Sequence, residues 1–349
     1  CMGAQDSIIR HNFVSGTHTL AVALFGLLRP KDKMLCLTGR PYDTLIGVLG
    51  IDGHVDGSLK DFGIEYNQVE LTKDLKPDID AIKAELKREK YTLAYIQRSK
   101  GYSLRESLSV DEIGEFCKIV KQVSPDTVIM VDNCYGEFVE TREPTQAGAD
   151  IIAGSLIKNP GGGIAPTGGY IAGKRALVEK CAGRLTIPNA GKELGASLGH
   201  LRELYMGLFA APHVVGQALH TAVFAARFFE LLGFGVSPAP DAVCADIIQT
   251  VLLENSENLI AFCQGLQKGS PIDSTAAPYP ADMPGYDSQI IMAAGAFTQG
   301  ASIELSGDAP LREPYAVWLQ GGLNFDSAEV GVMYAAQNML EKGLIKGAK

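Results

Sequence analysis

The chain has 349 residues, enough to bury a large core and to fold as two domains. Hydrophobic residues make up 46% and charged residues 20%, which excludes a disordered chain. The formal net charge of −9, with no basic stripe to offset it, argues against a general nucleic-acid-binding surface.

Cysteines stand at 1, 36, 117, 134, 181, 244 and 263, an odd set without a Cys-x-x-Cys pair. That pattern fits reduced thiols in a cytoplasmic protein better than a disulfide framework or a zinc site. The longest apolar run, Leu20–Leu28, is far short of the ~20 residues a membrane span needs, and no signal peptide is visible. The first residue is Cys1, so a natural leading segment is expected to be missing.

In chain order, a helix is expected over 17–29, capped by Ser15-Gly16-Thr17. Met34–Leu37, Leu93–Ile96, Val128–Val131 and Ile151–Gly154 read as short buried strands. Between them Ile79–Glu89 and Val110–Val123 read as amphipathic helices, with Asp78 and Ser109 as caps. This alternation predicts an α/β fold with a mostly parallel sheet. Tyr170–Gly173 reads as a further strand, with a helix from about Lys174. A long helical pattern from Gly195 to Leu232 is interrupted at Pro212. Beyond it, strands at Ile247–Leu253, Gln289–Met292 and Ala301–Leu305 and helices at 256–268 and 326–342 suggest an α+β domain. The Pro- and Asp-rich stretch Ser270–Gly285 reads as a surface loop. The expected division is a large domain over 1–195, connecting helices over 196–233 and a small domain over 234–349.

Lys158, in Gly-Ser-Leu-Ile-Lys-Asn-Pro-Gly-Gly-Gly (154–163), and Asp132, in Val-Ile-Met-Val-Asp-Asn (128–133), both follow predicted strands. Strand ends are where open α/β sheets form their ligand crevices. An amine and a carboxylate there suit pyridoxal phosphate (PLP): the lysine as Schiff-base partner, the carboxylate holding the pyridine nitrogen protonated. Alone, each has an ordinary structural reading, as a capping aspartate and a solvated lysine. Other residues fit the same ligand. Ser155 is close enough in sequence to reach a phosphate, and Gly16 and Thr17 open an apolar helix whose N–H groups would face an anion. Tyr42 could stack on a pyridine ring, and Arg312 could grip an α-carboxylate with both arms of its guanidinium. A half-buried turn tyrosine and a surface salt bridge are the plain alternatives. Arg98, Lys100 and Arg105 form a basic cluster whose default reading is a solvated loop.

Three motifs fail. Ser155-Leu-Ile-Lys158 matches Ser-x-x-Lys, but the Ser-Asp-Asn and Lys-Thr-Gly elements of serine acyl-transferring enzymes are absent from the sequence. Gly168–Lys174 is nearly a P-loop, yet Arg175 replaces the required Ser or Thr. His213 and His220 lie on a helical pattern and read as packing, not metal ligands.

Across essentially its whole length the sequence resembles the fold type I PLP enzymes, near the cystathionine and methionine γ-lyases. It is most similar to the methionine γ-lyase family branch of "aluminum resistance" proteins. The resemblance is carried by Val14–His18, Pro41–Thr44, Gln97–Tyr102, Val131–Phe138, Gly154–Gly163 and Leu311–Tyr315. It implies a large PLP-binding α/β domain with a smaller C-terminal α+β domain. Lys158 resembles the Schiff-base lysine and Asp132 the pyridine-nitrogen partner. Ser155, Gly16 and Thr17 resemble phosphate ligands, Tyr42 the ring-stacking tyrosine and possible proton donor, and Arg312 the carboxylate arginine. Asn133 matches the Asp-Asn pair of the γ-lyases. The Gln97–Tyr102 segment replaces an Asn-containing loop of those enzymes, and their leading segment, which reaches a neighbouring subunit's phosphate, has no match here. The implied activity is a carbon–sulfur lyase on a small sulfur-containing amino acid, in a homodimer or homotetramer without nucleic-acid or membrane partners. A transaminase, aldolase or decarboxylase on the same fold, or a non-catalytic PLP-binding stress protein, are the rivals.

Overall fold

A computed structural model describes residues 1–345. Within the described residues the chain divides into two compact units, one of residues 1–156 and 167–201, the other of residues 157–166 and the stretch from 202 onward.

The first unit is built on a seven-stranded sheet. Its elements run β1 (Asp6–Arg10), α1 (Gly16–Leu27), β2 (Lys33–Cys36), α2 (Asp43–Leu49), β3 (Glu65–Gln68), α3 (Ile79–Arg88), β4 (Leu93–Gln97), α4 (Val110–Val123), β5 (Val128–Asp132), β6 (Ile151–Ser155), β7 (Gly169–Gly173) and α5 (Arg175–Leu185). Strand order is β1-β7-β6-β5-β4-β2-β3. The block from β6 to β3 is parallel, while β7 runs antiparallel to both of its neighbours. The central strands β4 to β7 are buried along their whole length except for Val128, which is why they read as nearly continuous apolar runs.

Local chemistry sets the helix starts. Ser15 caps α1 by accepting the His18 N–H, Asp78 caps α3 through the Ala81 N–H, and Ser109 and Glu112 form a reciprocal capping box on α4. Helices α1 and α5 pack on each other and against β7, and α3 packs on α4. Leu93 and Tyr95 of β4, Met130 of β5, and Ile151 and Ala153 of β6 share one core cluster with α1. By the two-residue period of a strand, Asp132 and Ser155 belong to that same face. At the opposite ends of these strands, the buried Asp150 carboxylate accepts the Ile129 N–H and pairs with Lys121 and Lys174.

The second unit holds α6 (Leu201–Leu231), whose first residue falls on the division, β8 (Gly235–Ser237), β9 (Gln249–Leu252), α7 (Ser256–Lys268), β10 (Ile290–Ala293), β11 (Ser306–Pro310), β12 (Ala316–Gln320) and α8 (Phe325–Glu341). Its five strands form an antiparallel sheet ordered β10-β11-β12-β9-β8, and α7 and α8 pack together. By length and composition α6 could cross a bilayer, but it buries Val215, Ala218, Ala222, Ala225 and Phe229, the stripe of a core helix.

Two expectations need correction. The helical pattern from Gly195 starts only at Leu201, and Pro212 sits inside α6 without ending it. A proline removes one N–H from the helical ladder, and packing of the surrounding turns holds the rest. The expected strand Ala301–Leu305 is instead a buried turn, where the Glu304 carboxylate accepts the N–H groups of Phe297 and Thr298. The strand is the next stretch, Ser306–Pro310, whose Ser-Gly-Asp-Ala-Pro sequence reads as loop.

Candidate active site

The C-terminal ends of β4, β5 and β6 bring together Gln97, Asp132 and Ser155, with Gln97 and Asp132 paired in register. The start of α1 lies against them. A Cβ built on Gly16 would stand 3.3 Å from the Ser155 Cβ and 3.6 Å from the Cys134 sulfur, so a larger residue would crowd this approach. Ser155 is fully buried, and its hydroxyl has no hydrogen-bond partner among the described residues. A buried orphan hydroxyl at the N-terminus of a helix is ready-made for an anion. Thr17 contributes a hydroxyl 2.6 Å from that of Thr44 on α2.

The Asp132 carboxylate is 6% exposed, and each oxygen takes one donor: the Cys134 N–H on Oδ1 at 3.1 Å and the Tyr95 hydroxyl on Oδ2 at 3.2 Å. Two donors hold the carboxylate in place and leave lone pairs for a cationic partner. Tyr42 is half-buried at the start of α2. The Gln97 side-chain oxygen holds its N–H at 2.7 Å, and the Tyr102 ring packs edge-on at 5.4 Å between centroids.

Asn133 is turned inward. Its oxygen accepts from Arg98 at 2.9 Å, and its amide donates to Glu143 at 2.8 Å and to the Tyr170 hydroxyl at 3.2 Å. Tyr170 in turn donates to Glu137 at 2.8 Å. This buried network lies directly behind Asp132 in the chain. Burial pushes the Glu143 carboxyl up, opposed by the Phe138 N–H, Asn133 and Arg98.

The basic cluster is not a solvated loop. Arg98 is fully buried, and Lys100 and Arg105 are each 3% exposed. Arg98 bridges Asn133 to Glu140, the latter at 2.8 Å, and a Cβ on Gly136 would overlap its guanidinium. Arg105 donates to the carbonyls of Gln97, Ser99 and Glu106. Desolvating two guanidinium groups is expensive, and carbonyls and carboxylates fixed by the fold offset it. No local sequence signal distinguishes such arginines from surface ones.

Lys158 follows Ser155 by three residues and belongs to the second unit, where it is half-buried and begins a 3-10 turn, Asn159–Gly161. That turn is seated on the α6 backbone. A Cβ on Gly207 would come within 2.2 Å of the Gly161 oxygen, and one on Gly162 within 2.5 Å of the Gly207 oxygen. Gly162 also has φ of 54°, a conformation that disfavours side chains. Arg312 is half-buried in the turn that follows β11, with its N–H on the Pro310 carbonyl.

The chain is similar to known proteins over nearly all of this architecture. An uncharacterized protein of Bacillus subtilis, YnbB, is 51% identical over 344 residues, covering 98% of this chain and 82% of the relative. A carbon–sulfur lyase involved in aluminum resistance from Clostridium novyi superimposes with a TM-score of 0.92 at 49% identity, over 97% of this chain and 79% of that one. The pyridoxal-5′-phosphate-dependent protein YhfS of Escherichia coli shares the fold, with a TM-score of 0.63 at 16% identity, over 97% of this chain and 82% of that one. The fold is therefore that of the fold type I enzymes. The family model described as methionine gamma-lyase matches residues 1–340, so the chain belongs to the methionine gamma-lyase family.

Proposed function

We propose that the protein is a PLP-dependent carbon–sulfur lyase that eliminates a thiol from a small sulfur-containing amino acid, at Cβ or Cγ. The observation that carries this reading is the buried, unpartnered Ser155 hydroxyl beside the glycine start of α1, a cradle that fits a phosphate. The Asp132 carboxylate, on the same sheet edge and already accepting two hydrogen bonds, is the chemistry a pyridinium requires. Family membership and the carbon–sulfur lyase from Clostridium novyi support the choice of reaction.

When bound, PLP supplies an aldehyde that condenses with amines and a protonated ring that withdraws electron density from the substrate's Cα. Ser155, Thr17 and the Gly16 N–H would hold the phosphate, and Asp132 would accept from the ring nitrogen. Tyr42, held in place by Gln97 and Tyr102, would stack on the ring. Arg312 grips the substrate carboxylate. The Lys158 amine would hold the cofactor aldehyde and serve as the base for the substrate's Cα proton, and Tyr42 would supply the proton to the departing sulfur. With one water consumed in hydrolysing the eliminated enamine, the products would be thiol, oxo acid and ammonia.

The test is direct. Protein incubated with PLP should show bound-cofactor absorbance near the visible edge and release thiol and oxo acid from methionine, cystathionine or cysteine. Lys158→Ala should lose both signals. Persistence of the absorbance in that variant refutes the assignment of the lysine.

A further inference from the structure

Asp132 owes one of its two hydrogen bonds to a side chain outside every site motif of the sequence. Tyr95 lies on β4, two residues before the Gln97 that pairs with Asp132, so the strand period turns both side chains to the face carrying α1. The phenol is fully buried, with its oxygen 3.2 Å from Asp132 Oδ2. The other titratable groups acting on it are the thiols of Cys36 and Cys134. Burial first, and then the adjacent carboxylate, push the phenol well above its ordinary range, so it stays a donor.

We propose that Tyr95 is a positioning residue for Asp132: its hydroxyl fixes the carboxylate in the one orientation in which Oδ2 accepts from Tyr95 and Oδ1 from the Cys134 N–H. Given the PLP reading above, on which this rests, that orientation would present the carboxylate's remaining lone pairs to the pyridine nitrogen. The ring of Tyr95 packs in the core like any buried aromatic; the hydroxyl serves the carboxylate.

Tyr95→Phe removes the hydroxyl and keeps the packing. PLP affinity should be measured by absorbance titration for wild type, Tyr95→Phe, Asp132→Asn and the double variant, with the melting temperature of each apo protein. A hydrogen bond to a buried charge predicts a Kd about tenfold higher in Tyr95→Phe. In the Asp132→Asn background the same change should alter Kd less than about twofold, because the coupled interaction is already gone. An unchanged Kd in the Asp132 background overturns the proposal. So does an equal rise in both backgrounds, which marks a general packing effect. If wild type takes up no PLP, the functional reading itself falls and this one with it; if wild type binds and the cycle shows no coupling, only this one falls.

Discussion

Replacing Arg98 with methionine keeps most of the side-chain volume and deletes the charge on which the network behind Asp132 depends. Of its carboxylate partners, Glu140 is 27% exposed and can turn to water, so losing that pair costs little. Glu143 is 5% exposed and has nowhere to turn, while Asn133 loses the donor on its oxygen. A hydrogen bond between a charged donor and a buried acceptor contributes about 1.5–3 kcal/mol. Stranding the partner of a buried charge brings the expected loss to about 3–5 kcal/mol. Arg98→Lys should lose about half as much, since a point charge cannot serve both Asn133 and Glu140. Two units need not unfold together, so the measurement should be local. Amide hydrogen exchange at Ile96 and Val131 of the first unit reads the loss, with Val251 and Leu319 of the second as internal controls. Less than about 1 kcal/mol of lost protection at β4 and β5 would refute the idea that the network carries the site.

Three further predictions follow from the same geometry. Ser155→Ala deletes a buried hydroxyl without a partner, so apo stability should hold or rise slightly, while PLP affinity in absorbance titrations falls about tenfold. Gly207→Ala drives a methyl into the Gly161 carbonyl, backbone against backbone; about 1–3 kcal/mol should be lost in denaturant unfolding followed through Trp318, with the visible band weakened. Asp150→Asn tests the far end of the sheet. Burial raises the Asp150 carboxyl, but Lys174, Lys121 and the Ile129 N–H outweigh it and hold it below its ordinary value. Its folded pKa is depressed, so its contribution is present at neutral pH and lost as pH falls below the ordinary aspartate value of about 3.9 through the folded one. The variant should be about 1–3 kcal/mol less stable at pH 7 in urea titrations, and the gap should close in acid.

Periodic, self-sufficient elements are the ones whose chemistry is legible along the chain. Helices α4 and α7 match their patterns because each carries its own cap and an amphipathic stripe. Strands β4 to β6 declare themselves because burial on both faces leaves them apolar throughout. Short edge strands such as β1 and β3 do not, since half their surface is exposed and their order comes from a neighbour's hydrogen bonds. β11 is the extreme case, a Ser-Gly-Asp-Ala-Pro stretch made into a strand by pairing on both sides. In the site, Asp132, Ser155 and Gly16 are found by their place at strand and helix ends. Tyr95, Thr44 and the burial of Arg98 are set by contacts between segments distant in sequence, which no local pattern carries.

The antiparallel course of β7 has a consequence for Lys158. Ser155 and Gly169 are opposite one another on the β6–β7 ladder, so the loop carrying the lysine leaves and re-enters the sheet at a single rung. Loop-closure entropy grows only with the logarithm of length, about 0.6 kcal/mol per doubling, so the extent of residues 159–168 is nearly immaterial to where the amine can go. Its reach is set by the three residues from Ser155, a tether of at most about 11 Å. Chain length alone thus keeps the Lys158 Cα within about 11 Å of the Ser155 Cα, whatever the rest of its loop becomes.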